Sequence, residues 1–165
     1  MKTYFKDNFF SAGKTDIWNE QMVSLGYLDL KSAFGSALEV FDASGEHMYS
    51  GKFPILSNKW EVFNSDQNMV GKLRSKFTFL AKNYTYDAYE RGEFTITSPA
   101  FSRDYNITDG NGDLVASFQR VSNWFSSEAY CLDNMSEQLN NYELVAVIMG
   151  MNAIQKRRRS AATNT

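Results

Sequence analysis

Up to about Leu132 the chain alternates apolar and polar positions with a period of two. Leu38 and Val40 flank Glu39, Trp60 and Val62 flank Glu61, Tyr84 and Tyr86 flank Thr85, and Phe94 and Ile96 flank Thr95. Successive side chains of a strand point to opposite faces, so this period predicts strands with one buried face. Polar tips separate the runs: Asp42-Ala43-Ser44-Gly45, Asn64-Ser65-Asp66-Gln67-Asn68, Glu90-Arg91-Gly92 and Asp109-Gly110-Asn111-Gly112-Asp113. Glycine supplies the positive φ that tight turns need, and the last tip is the strongest hairpin signal in the chain. Leu114 to Val121 leaves it as a further strand. The segments 40–48, 62–70 and 107–115 share an order of apolar pair, Asp or Asn, polar tip and apolar return, a weak repeat that suits a meander of hairpins. Short strands at this spacing predict an all-β barrel or sandwich.

After Leu132 the pattern changes. Asn140 or Asn141 can cap a helix, and Glu143 stands three residues after Asn140, where a capping-box acid would. The run from Leu144 to Ile154 then has no polar face of the kind a surface helix shows every three or four residues. A helix that is apolar all round must be covered on every side. The economical arrangement is a closed antiparallel β-barrel of about 10–12 strands around a buried C-terminal helix. Leu144, Val147, Ile148 and Met151 would form its core, leaving no internal cavity for a small-molecule ligand. Lys156-Arg157-Arg158-Arg159 follows, with cations where the helix dipole favours them. One domain over residues 1–159 and a frayed tail over 160–165 complete the expected organisation.

With these features the chain resembles the tubby C-terminal-like fold, which includes the plant LURP-one-related proteins, the bacterial YxjI-type proteins and the phospholipid scramblases. The resemblance rests on the hairpin rhythm around Asp42-Ala43-Ser44-Gly45 and Asp109-Gly110-Asn111-Gly112, the Gly71-Lys72-Leu73-Arg74 strand, and the helix from Glu143 to Ile154. Bacterial relatives often carry an Asp within that helix, where this chain has Asn152. The resemblance implies a non-enzymatic binding or scaffold module. Tubby domains bind phosphoinositide head groups through basic residues on the outer barrel wall.

Composition narrows the classes further. The 165 residues fit one domain, and an aromatic content of 15% can fill a sizeable core. A net charge of −2 gives no basic excess for nucleic acid. A single cysteine, Cys131, suits a reducing compartment, and the N-terminal residues lack the apolar run of a signal peptide, so a cytoplasmic location is expected. The terminal apolar run is shorter than the roughly 20 residues of a membrane-spanning helix, which argues against a membrane-inserting role for it.

No catalytic, cofactor or metal set emerges. The one histidine, His47, sits beside a turn and reads as solvent-exposed. Tyr130-Cys131-Leu132 reads as a strand with the thiol as a small apolar filler. Asp109, Asn111 and Asp113 alternate like the start of a calcium loop, but Leu114 and Arg120 stand where the loop glycine and final glutamate belong. Asp133, Glu137 and Glu143 read as caps and solvated positions.

Two functional readings follow. Lys72, Arg74 and Lys76 alternate with Leu73, Ser75 and Phe77, which puts three cations on one face of a strand. Such a stripe on the barrel wall could meet an anionic phospholipid surface in peripheral contact; the same pattern also suits a solvated strand face that discourages edge pairing. The competing reading is a protein-interaction or structural module with Trp18, Trp60 or Trp124 at its interface. The pairs Phe9-Phe10 and Trp124-Phe125 would point to opposite faces of a strand, leaving one ring of each to meet a partner.

Overall fold

The structure is a computed structural model and describes residues 1–31, 36–78, 81–99, 102–122 and 128–163. Twelve strands run in chain order: β1 (Lys2–Lys6), β2 (Gly13–Trp18), β3 (Ser24–Leu30), β4 (Ala37–Asp42), β5 (His47–Lys52), β6 (Trp60–Asn64), β7 (Met69–Thr78), β8 (Ala81–Asp87), β9 (Glu93–Pro99), β10 (Tyr105–Thr108), β11 (Leu114–Val121) and β12 (Ala129–Asn134). Each pairs antiparallel with its sequence neighbours, and β1 also pairs with β12, so the sheet closes into an up-and-down barrel with no free edge. The C-terminal helix α1 (Asn141–Thr163) runs through it.

The period of two sets the register. Leu28 faces Val40, Leu30 faces Leu38, Trp60 faces Leu73, Tyr86 faces Phe94 and Ile96 faces Ile107, and all of these side chains are buried. An eight-stranded barrel can fill its interior with its own side chains, whereas twelve strands enclose more room than that. The helix fills it. From Glu143 through Met151 every helical residue is buried, Leu144, Val147, Ile148 and Met151 among them. Asn140 caps the helix through its Oδ1, which accepts the Tyr142 N–H at 2.8 Å.

The polar groups that enter with the helix are matched by the wall. The Trp60 indole N–H donates to the Ala146 carbonyl at 3.1 Å. Glu143 does not serve as a capping acid: its side chain is wholly buried, accepts from Tyr86 Oη at 2.5 Å, and pairs with Arg91.

The hairpin repeat has a structural counterpart. At Asn19, Asp42, Asn64 and Asp109 the same turn recurs: the side-chain Oδ1 accepts the N–H four residues on, and the backbone carbonyl accepts the N–H three residues on. The residue at that third place (Met22, Gly45, Gln67, Gly112) has positive φ each time. Asp109 therefore spends its carboxylate on a turn. Phe9 and Phe10 depart from the strand reading. They lie in a single 3-10 turn over Asp7–Phe10, which brings both rings inward, where they pack on each other and on Phe118 and Tyr130.

Candidate functional site

In an up-and-down barrel alternate connections share an end, so the charges of alternate turns add. The turns after β2, β4, β6, β8 and β10, together with the entry of α1, form one end. They carry Glu20, Asp42, Glu46, Asp66, Glu90, Asp109, Asp113 and Glu137, against Arg91, which is paired with Glu143, and the Met1 ammonium, which donates to the Asn134 carbonyl. At the opposite end α1 leaves the barrel with Lys156, Arg157, Arg158 and Arg159, near Lys82 and Arg103, while the connections there also carry Lys59 and, against these cations, Asp104 and Glu128. A chain of nearly balanced net charge thus folds into a barrel with an acidic entry end and a basic exit end.

The exit end also presents apolar groups. The connection from β5 to β6 turns at Pro54-Ile55-Leu56-Ser57, closed by the Ser57 N–H on the Pro54 carbonyl at 3.3 Å. Ile55 and Leu56 are 93% and 98% exposed. Leu56 holds φ 64°, a left-handed conformation that costs a non-glycine residue about 1–2 kcal/mol. This residue contributes no burial to the fold and sits under backbone strain, a combination that recurs at functional surfaces. The loop is tied to the helix by Arg157, whose guanidinium donates to the Ser57 carbonyl at 2.9 Å and lies 4.7 Å from the centre of the Phe53 ring. Between loop and helix is a cleft of about 600 Å³ with Phe53, Pro54, Ile55 and Leu56 on one side and Lys156, Arg157 and Arg159 on the other.

Lys72, Arg74 and Lys76 lie on the outer face of β7. Lys72 is 3.9 Å from Glu61 and opposite Asp87 in register; Arg74 is 3.4 Å from Glu93. Lys76 faces Asn83, nearest of the three to the basic end. Carboxylates therefore accompany the upper two cations of the stripe. Of the tryptophans, Trp60 is fully buried, Trp18 half-buried, and Trp124, like Phe125, lies outside the described residues.

His47 is half-buried at the start of β5, edge-on to Phe41 at 5.6 Å, and not the exposed turn residue the sequence suggests. Burial pushes the Cys131 thiol pKa up, which disfavours the nucleophilic thiolate. Among the described residues no group of three or more His, Cys, Asp or Glu side chains could hold a metal ion, and no helix is long and apolar enough to cross a membrane.

From sequence the basic helix end reads only as cations matched to the helix dipole, and Ile55, Leu56, Lys82 and Arg103 carry no signal of their own. The signal that joins them is the excess of acids in alternate turns and its absence from the others, which has meaning only once the barrel is known to be an up-and-down one.

Comparison with known proteins agrees with this architecture. The family model described as LURP-one-related matches residues 2–149. A protein of Arabidopsis thaliana solved by X-ray crystallography superposes with a TM-score of 0.57 at 13% identity, over 96% of this chain and 90% of that one, which speaks to the fold alone. A search of curated proteins finds no sequence match.

Proposed function

The chain belongs to the LURP-one-related family, and from that premise we propose that this binding or scaffold module, acting without catalysis, docks peripherally on anionic phospholipid surfaces with the basic end of its barrel. The observation that carries the reading is the placing of fully exposed Ile55 and Leu56 beside Arg157 and its cationic neighbours on one end of the molecule. An interfacial membrane contact needs these two elements together: apolar groups to enter the headgroup boundary, and cations to hold the surface. Each basic residue near an anionic leaflet contributes about 1 kcal/mol, and each buried Ile or Leu side chain roughly 1.5–3 kcal/mol. The paired cations of β7 would add less, since Glu61 and Glu93 already neutralise part of their charge. The acidic end, turned away from the surface, would set the orientation of approach.

Co-sedimentation with phosphatidylcholine vesicles, with and without phosphatidylserine, tests the reading. Binding to the anionic vesicles only, reversed by salt and lost in the I55D/L56D double variant, is the expected result. No sedimentation with anionic vesicles at low salt would overturn it.

A further inference from the structure

On the same end, beside the Phe53–Leu56 cleft and sharing Arg159 with it, lies a small recess of about 130 Å³. Lys82 from β8, Arg103 from the connection before β10, and Arg159 from α1 meet there, with Tyr105, Asn152 and Gln155 as further polar walls. Among the described residues no carboxylate lines it. Its volume equals a few water molecules at about 30 Å³ each, which admits a compact oxyanion.

The chemistry of the walls is one-sided. Lys82 donates to the Ser102 carbonyl at 3.0 Å, a neutral acceptor that leaves its charge unbalanced. Burial, and then the nearness of Arg159 and Arg103, hold its ammonium pKa below the usual lysine value. The Asn152 Nδ2 is buried and has no hydrogen-bond partner among the described residues, a costly state for a donor. Gln155 Nε2 donates to the hydroxyls of Tyr84 and Tyr105 at 2.9 and 3.2 Å, so each phenol accepts there and retains its own proton to give. Burial raises the pKa of both phenols, that of Tyr105 to about 12, so they are neutral donors at pH 7. Three cations, an unmatched amide N–H and a phenolic O–H converge, and they call for an acceptor with several negative oxygens.

We propose that this recess binds a phosphate group, free or as the terminal monoester of a lipid headgroup, through Lys82, Arg103 and Arg159, with Asn152 and Tyr105 donating to its oxygens. The lipid form rests on the membrane reading above and sharpens it: three cations match a dianionic monoester better than the single charge of a phosphodiester.

The test titrates the intact protein calorimetrically with inorganic phosphate and with glycerol 3-phosphate against chloride at equal ionic strength. It then compares sedimentation with vesicles containing phosphatidic acid or phosphatidylserine. Saturable one-to-one binding of phosphate is expected, weakened about tenfold or more in K82Q and in R103Q, a loss equivalent to about 1.4 kcal/mol. Arg103 is exposed and Lys82 half-buried at the barrel end, and neither belongs to the hydrophobic core. Preference for phosphatidic acid that disappears in K82Q and R103Q identifies the lipid form; phosphate binding without that preference identifies the free anion. No saturable binding of either soluble probe, or K82Q and R103Q that bind as wild type does, overturns the proposal. The two readings fail separately: vesicle binding without phosphate binding removes the recess and keeps the docking end, while the reverse does the opposite.

Discussion

The indole of Trp60 occupies the space that a β-carbon at position 150 would need. A side chain there would begin 2.4 Å from the ring, and one at Gly51 would begin 2.5 Å from the same indole. The ring is thus held between helix and wall by two glycines while its N–H bonds the Ala146 carbonyl. Helix propensity favours alanine over glycine by about 1 kcal/mol, but overpacking a filled core costs about 1–3 kcal/mol. The second effect should win. Gly150→Ala is expected to lower stability by up to about 2 kcal/mol, read as a lower urea midpoint at unchanged slope. An equal or higher midpoint would mean that the ring has room to move.

A second prediction concerns Arg91 and Glu143. The guanidinium meets the carboxylate at 2.7 and 2.8 Å and also donates to the Val70 carbonyl at 2.6 Å, joining the turn before β9 to β7 and the first turn of α1. The glutamate is wholly buried and the arginine about one third exposed. Arg91→Met therefore strands a buried carboxylate, at about 3–5 kcal/mol. Glu143→Gln leaves a cation that water can reach and costs about 1–3 kcal/mol. Urea denaturation of both variants should give that order. The reverse order would place the main stabilisation in arginine's carbonyl contacts.

These two relationships show what the sequence could and could not reveal. Strands were legible wherever one face is buried, as in Leu38–Val40 and Phe94–Ile96, because the period of two survives any register. The enclosing barrel was legible from a single physical demand, that a helix without a polar face be covered all round. Glu143 was misread because its place three residues after Asn140 matches a local cap, while its partner lies 52 residues away. Phe9 and Phe10 were misread because adjacent rings share a side only when the backbone leaves the strand for a 3-10 turn. The basic end was only partly legible, since composition pools acids and bases that the topology sorts to opposite ends.

Alkaline pH should unfold the protein through its buried phenols. Burial raises the Tyr105 pKa to about 12 from an ordinary 10.0, and those of Tyr84 and Tyr86 are raised as well, chiefly by burial. A group with a raised folded pKa keeps its stabilising contribution below the unfolded pKa and loses it as pH climbs to the folded one. Between pH 10 and 12 the unfolded chain releases these protons while the native state holds them, so stability falls with rising pH. For Tyr105 the shift corresponds to about 2–3 kcal/mol. Melting temperatures should drop across this interval together with a rise in tyrosinate absorbance. In Tyr105→Phe the drop should be shallower, although the variant starts lower at neutral pH by about 1 kcal/mol for the bond from Gln155. A flat profile up to pH 12 would show that these phenols reach solvent.

The remaining prediction separates barrel wall from barrel end. Lys72 and Arg74 stand in the open on β7 and carry the same formal charge as Arg157 and Arg158, so composition cannot rank them. Their surroundings can. Lys72 has Glu61 at 3.9 Å and Arg74 has Glu93 at 3.4 Å, so a vesicle meets two near-neutral pairs there. Arg157 has a carbonyl and an aromatic face as neighbours, keeps its full charge, and stands beside Ile55 and Leu56. Exposed pairs of the β7 kind contribute only about 0–1 kcal/mol to folding, so reversing them leaves the barrel intact, and Arg157 and Arg158 are exposed on α1 outside the hydrophobic core, so their reversal acts on the exit end and its loop. On anionic vesicles at low salt, K72E/R74E should weaken binding severalfold at most, while R157E/R158E should weaken it by a factor of several hundred, since each cation near the surface is worth about 1 kcal/mol and reversing two of them costs about 4 kcal/mol. Raising the salt should shrink the difference as the Debye length falls from about 10 Å toward 3 Å. Should the β7 variant prove the more damaging, the wall would be the docking face and the exposed Ile55–Leu56 loop would need a different occupant.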